Sequence, residues 1–180
     1  MIPNMNLSEA KAETIKADGY VMKILAVEID KQYNRLKLKC DIAEGDKAGY
    51  YQRLEDRANF WGMYVSMYMD EDKKWRFART IDAICESNDD FTWNYDGEND
   101  EQTMVGKLIG VVTRHKFYYG NDGQLKSKLV AYSTTTVDDI RTKNYTIPEP
   151  KQVEEKAAFT GNVVDTTAGF EEMKTDDIPF

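Results

Sequence analysis

The chain has 180 residues, enough for one domain with its own core plus a tail. It carries 24 Lys or Arg against 32 Asp or Glu, with one His and two Cys, a formal charge of −8. No stretch is apolar for long enough to span a bilayer and no segment resembles a signal peptide, so membrane and secreted classes are excluded as expectations.

Residues 1–18 read as an N-terminal arm, either a short helix or a mobile lead-in. Residues 20–29 are dense in β-formers (Val21, Ile24, Leu25, Val27, Ile29) and predict a strand. Residues 30–34 form a loop. Residues 35–42 are the clearest strand in the chain. Leu36, Leu38, Cys40 and Ile42 face one way, and Arg35, Lys37, Lys39 and Asp41 the other. After the break at Gly45, Tyr50, Tyr51, Leu54 and Arg57 fit a short helix or an ordered loop. Residues 60–69 alternate again. Trp61, Met63, Val65, Met67 and Met69 are expected inward, with Tyr64 and Tyr68 outward, because tyrosine tolerates a wet surface.

Asp70 and Asp72 are N-cap candidates for a helix over about 73–86, with a buried stripe of Phe77, Ala78, Ile81, Ile84 and Cys85. Residues 90–102 form an acidic loop whose Phe91, Trp93 and Tyr95 alternate, as in a small strand or a packed loop. Residues 106–119 read as a long strand, Gly120-Asn121-Asp122-Gly123 as a hairpin turn, and 125–133 as the returning strand. Leu125, Leu129 and Ala131 are expected on its apolar side, with Lys126, Lys128 and Tyr132 opposite. Residues 137–140 suit a helical turn. From 151 onward large apolar side chains thin out, and a flexible leash is expected. Such a coil of about 25 residues spans about 25–30 Å.

Net charge has the wrong sign for a nucleic-acid binder, but it is segregated along the chain. Residues 151–180 hold three lysines and seven carboxylates, which accounts for half of the −8. Residues 31–39 contain four cations and no carboxylate, and 86–101 contain seven carboxylates and no cation. Residues 107–128 contain five Lys or Arg against Asp122 alone. Phosphate contacts depend on the local field, so two basic patches matter more than the total.

Catalytic and metal chemistry find little support. The Gly106-Lys107 pair lacks phosphate-loop spacing, and a glycine at a strand corner is the expectation there. His115 has no nucleophile motif beside it. The acidic loop lacks calcium-loop spacing, and no CxxC pair or His cluster exists. No enzyme, cofactor or metal is therefore expected. Cys40 and Cys85 read as reduced inward thiols of a cytoplasmic protein.

Three strands, one helix and two strands match the order of an OB-fold, a five-stranded Greek-key barrel with a helix between strands three and four. The expected class is thus mainly β (α+β), with the barrel over residues 19–150 and an acidic tail over 151–180. Such barrels bind oligonucleotides across strands two and three, between the loops joining strands one to two and four to five. The candidate nucleic-acid-binding residues follow: Lys31 and Tyr33 in the first loop, Arg35, Lys37 and Lys39 on strand two, Tyr64 and Tyr68 on strand three. Arg114, Lys116, Tyr118, Lys126 and Lys128 join them from the last hairpin.

Asp176-Asp177-Ile178-Pro179-Phe180 resembles the acidic tip of bacterial single-stranded DNA-binding proteins. The resemblance implies that these five residues recruit replication and recombination proteins. Gly19-Tyr20-Val21-Met22-Lys23-Ile24, Asp41-Ile42-Ala43-Glu44-Gly45, Gly106-Lys107-Leu108-Ile109-Gly110-Val111 and the Asn121-Asp122-Gly123 turn look like segments of a family of small proteins from phages and mobile elements of Gram-positive bacteria. That implies a replication or recombination accessory protein in the cytoplasm of a bacterial host. The expected function is non-catalytic single-stranded DNA binding by phosphate contacts and base stacking. The alternative is an adaptor of a replication complex whose barrel binds protein. DNA and RNA are not separated by these features, and the number of subunits is open, a homo-oligomer included.

Overall fold

The computed structural model describes residues 13–150. The tip residues 176–180 and most of the N-terminal arm lie outside them. The described chain is mainly β. Strands β1 (Gly19–Asp30), β2 (Arg35–Ile42), β3 (Tyr64–Tyr68), β4 (Leu108–Tyr119) and β5 (Leu125–Thr135) form one sheet in the order β3-β2-β1-β4-β5, with every neighbouring pair antiparallel. Helix α1 (Tyr50–Ala58) joins β2 to β3, α2 (Lys74–Ser87) lies between β3 and β4, and α3 (Val137–Thr142) follows β5.

β1 is the central strand, and it is shared between two partners. Its first part, from Gly19 to Lys23, pairs with β4, while Met22 to Asp30 pairs with β2. A bulge between Ile24 and Ala26 inserts Leu25, which is 36 % exposed. The extra residue resets the inside–outside alternation, so Met22 and Ile24 are buried before it and Val27 after it. Gly106, at φ +87, turns the chain into β4 and donates its N–H to the Ile24 carbonyl at 2.7 Å. The expected corner glycine is therefore a left-handed turn residue just before the strand.

The core lies between the sheet and α2. It contains Met22, Ile24, Leu38, Cys40, Met63, Ile81, Ile84, Met104, Ile109 and Val111, all sealed from solvent. The stripe expected on α2 is present, with Ile81 and Ile84 buried and Phe77 and Cys85 half-buried. Burial pushes the Cys40 thiol up to about 12, as expected of an inert core thiol, and both cysteines are free. A second small cluster lies on the outer side of the sheet, where Val137 and Ile140 of α3 cover Val21 and Val112. Gly110 permits that contact, because a Cβ there would collide with the Thr136 carbonyl.

Several local expectations need correction. Asp41, expected outward, is buried at 6 % exposure because it serves α1. Its carboxylate accepts N–H groups from Ile42 (2.8 Å), Tyr51 (2.9 Å) and Gln52 (3.1 Å). The N-cap position itself is Gly49, left-handed at φ 73, with no side-chain cap of its own. Met69 was expected inward but is 37 % exposed, since β3 ends at Tyr68. Asp70 does not cap α2; it precedes a 3-10 turn at Glu71–Lys73, and its carboxylate accepts from Asn34 and Lys73 instead. The acidic loop forms no strand. Phe91 is buried, and its ring and that of Phe77 flank Trp93 at 6.2 and 6.4 Å.

Leu125, expected on the apolar side of β5, is 56 % exposed. The cause is geometric. β4 pairs with β1 only as far as Val112 and continues to Tyr119, about 20 Å further. Beyond that point β4 and β5 form a two-stranded ribbon closed by the expected turn, where Gly123 sits at φ 71 and donates to the Gly120 carbonyl at 2.9 Å.

Candidate functional site

The short turn at residues 31–34 fixes the register of β1 against β2. It sets Asp30 opposite Arg35 and Glu28 opposite Lys37. β3 continues the same ladder, with Arg35 opposite Tyr68, Lys37 opposite Ser66 and Lys39 opposite Tyr64. Partners directly across a ladder point to the same side. Arg35, Lys37, Lys39, Tyr64 and Tyr68 therefore share one face, opposite the buried Leu36, Leu38 and Cys40, and each is half-exposed.

On this face cations lie over aromatic rings. The Arg35 guanidinium is 4.9 Å from the Tyr33 ring centre and 5.8 Å from that of Tyr68. Lys37 Nζ lies 4.4 Å over Tyr64, and Lys39 Nζ 4.0 Å over Trp61. Each such contact contributes about 0.5–1 kcal/mol at an exposed site and holds the long side chains in place. Trp61 is otherwise buried, with its indole N–H donated to the Met63 carbonyl at 2.8 Å.

Every β2 cation already has a carboxylate partner. Arg35 pairs with Asp30 at 2.9 Å, Lys37 with Glu28 at 3.6 Å and Lys39 with Glu55 of α1 at 3.1 Å. Isolated basic residues were the sequence expectation. Instead the face is close to neutral and consists of ordered ion pairs on an aromatic floor. Pairs this accessible contribute about 0–1 kcal/mol each, so another anion can displace the carboxylate at small cost. The pairing was legible in part: Glu28 and Asp30 sit two residues apart at the end of one strand and mirror Lys37 and Arg35 across the turn.

Lys31 is exposed in that turn and Tyr33 is 52 % exposed. Lys73, a residue outside the expected set, closes the far side, with its Nζ 4.8 Å over the Tyr68 ring and 2.9 Å from Asp70.

Arg114, Lys116, Tyr118, Lys126 and Lys128 are likewise brought together, on one face of the β4–β5 ribbon. Lys116 is opposite Lys128, and Tyr118 is opposite Lys126. Arg114 lies 4.7 Å over Tyr132, and Lys128 lies 5.7 Å over Tyr118. Lys126 pairs with Asp122 at 2.8 Å. The two groups do not merge into a single ladder. The ribbon leaves β1 at Gly19, whereas Arg35 and the 31–34 turn stand at its other end, beyond Asp30. His115 is half-buried on β4, with Nδ1 unpartnered among the described residues.

Among the described residues no group of three or more metal-ligating side chains occurs, and no helix is long and apolar enough to cross a membrane. No protein-family model matches the chain, and no curated protein matches it.

Proposed function

We propose that the chain is a non-catalytic single-stranded DNA-binding protein whose sheet closes into an OB-fold barrel. The order β3-β2-β1-β4-β5 becomes that barrel if β5 lies beside β3, and α2 stands between β3 and β4 as the topology requires. In support, the Thr80 hydroxyl of α2 hydrogen-bonds that of Thr134 in β5 at 2.9 Å. The observation that carries the reading is the β2–β3 face, with three cations over aromatic rings in the position where such barrels take a strand. Phosphates displace Asp30, Glu28 and Glu55 from Arg35, Lys37 and Lys39, and bases stack on Tyr33, Tyr64 and Tyr68, at about 1–3 kcal/mol each. Stacking is nearly base-blind, so sequence preference is weak. The basic ribbon supplies a second set of phosphate contacts. By its resemblance to the acidic tip, the stretch 176–180 recruits replication or recombination proteins of a phage or mobile element, and the work is done in a bacterial cytoplasm.

Fluorescence anisotropy with a labelled dT oligomer tests this directly. Binding that falls with rising salt is expected. Absence of binding at low salt overturns the proposal. A pulldown with and without residues 176–180 tests the tip separately, and loss of partner capture with DNA binding intact is the expected outcome. The adaptor reading is favoured by one observation, the ion pairing of all three β2 cations. It predicts capture of a protein partner by residues 1–150 with no DNA present.

A further inference from the structure

We propose that the nucleic-acid track does not stop at β3 but continues onto the first turn of α2, where Trp75 is a stacking platform and Arg76 a phosphate contact. This rests on the function proposed above and extends it to residues that no expectation from the sequence included. Cations and rings alternate from the 31–34 turn as far as Lys73, at the foot of the helix. Tyr33 is followed by Arg35 at 4.9 Å, Arg35 by Tyr68 at 5.8 Å, and Tyr68 by Lys73 at 4.8 Å. Lys73 immediately precedes α2, and Arg76 is its i+3 neighbour, one turn along the same side of the helix. The Arg76 guanidinium then lies 5.0 Å over the Trp75 ring.

Trp75 belongs to neither hydrophobic cluster of the described residues. It is 59 % exposed, and it lies about 180° around the helix from the buried face formed by Phe77, Ile81 and Ile84. Among the described residues Arg76 has no carboxylate partner, unlike Arg35, Lys37, Lys39 and Lys73. Lys74 is neutralised by Glu71, and Arg76 is the cation that lies over the ring, with Asp72 in the preceding turn and Arg79 one turn further on. An exposed indole under a guanidinium without a carboxylate partner among the described residues, one helical turn beyond the end of an aromatic–cation row, fits a single strand of nucleic acid, whose bases and phosphates alternate.

Trp75 also reports on its own occupancy. Trp61 is buried and Trp93 half-buried, so Trp75 is the tryptophan most open to a stacking base, and W75F separates its quenching from any change at Trp61 beneath Lys39. With dT oligomers, the full chain is expected to lose tryptophan emission on binding, and W75F to lose most of that signal. W75A is expected to bind at least about fivefold more weakly. R76A should flatten the dependence of log K on log salt by about 0.7. R57A, which removes an equal charge from the exposed end of α1, is expected to leave that slope unchanged; circular dichroism checks that each variant folds. Binding seen by anisotropy with emission unquenched, or with W75A and R76A matching R57A, overturns this inference and leaves the proposed function standing. No anisotropy change at low salt overturns both.

Discussion

If a bound strand takes over the cations of β2, removing their intramolecular partners should strengthen binding by a calculable amount. The substitutions are Asp30→Asn, Glu28→Gln and Glu55→Gln, which keep side-chain shape and discard one negative charge each. Two estimates bound the gain. Releasing a cation from an accessible ion pair returns up to about 1 kcal/mol, or about fivefold. A fully available cation acting by counterion release contributes about 0.7 in slope, or about eightfold at 50 mM salt. A gain of about five- to eightfold per site is thus the ceiling. Glu28 should give the least, since it is 57 % exposed and its pair with Lys37 is the longest of the three at 3.6 Å. Asp30 should give the most, because it and Arg35 are about 20 % exposed and 2.9 Å apart. The assay is anisotropy with a labelled dT oligomer at 50 and 200 mM salt, and the slope should steepen by up to about 0.7 per site. Glu44→Gln is the control. It frees Arg141 at the opposite end of β2, away from the 31–34 turn. If Glu44→Gln gains as much as Asp30→Asn, the effect is a general change of charge and this face is not the site.

Two further predictions concern the scaffold. Asp41→Ala should cost about 2–4 kcal/mol in urea unfolding, because a helix cap is lost and the buried N–H groups of Ile42 and Tyr51, with the partly buried one of Gln52, are left without an acceptor; a loss under about 0.5 kcal/mol would show that water replaces the carboxylate. Asp18 should shape the acid limb of stability. Burial alone would raise its pKa, but the Tyr145 hydroxyl, at 2.7 Å, and the Gly19 N–H outweigh burial and hold it below the ordinary 3.8. A lowered folded value gives stabilisation that is complete above the unfolded pKa and is lost as pH falls through the folded one. Tyr145→Phe should therefore lower stability at pH 7 and make the decline below about pH 4 shallower than in the parent chain, as measured by thermal melts across pH.

What could be read from the sequence followed periodicity. The alternation over 35–42 located β2 to the residue, because one side is apolar without exception and the other carries Arg35, Lys37 and Lys39. The Gly120–Gly123 turn was equally clear, since positive φ leaves few residue choices. Failures came where a tertiary partner overrode the local pattern. Asp41 keeps its place in the alternation, yet a helix from the next segment folds over it and draws the carboxylate inside. Leu125 alternates correctly too, but the sheet beneath it has ended, so the pattern has no core to point at. Periodicity assigns a side to each residue and does not state what lies on that side. The candidate face was located for the same reason that its charge was misjudged. Arg35, Lys37 and Lys39 are visible within one strand, whereas Asp30, Glu28 and Glu55 join them only through the register of a hairpin and the landing site of α1.

That pairing bears on how an acidic chain could hold a nucleic acid. With free cations, a face of this kind would bind any polyanion and release it slowly. With each cation pre-paired, a phosphate gains only the difference between two carboxylate-like partners, which is small. The remaining affinity must come from the rings, and a ring held under a fixed cation is ordered before the base arrives, so little side-chain entropy is lost on stacking. Under the proposed function, binding would thus depend more on base stacking than the count of lysines suggests. A duplex, whose bases are already stacked on each other, would gain only the weakened phosphate contribution. Preference for single strands over duplex should consequently widen as salt rises, because the phosphate share shrinks while the stacking share does not. A preference that narrows between 50 and 200 mM salt would mean that phosphate contacts, and not Tyr33, Tyr64 and Tyr68, dominate the face.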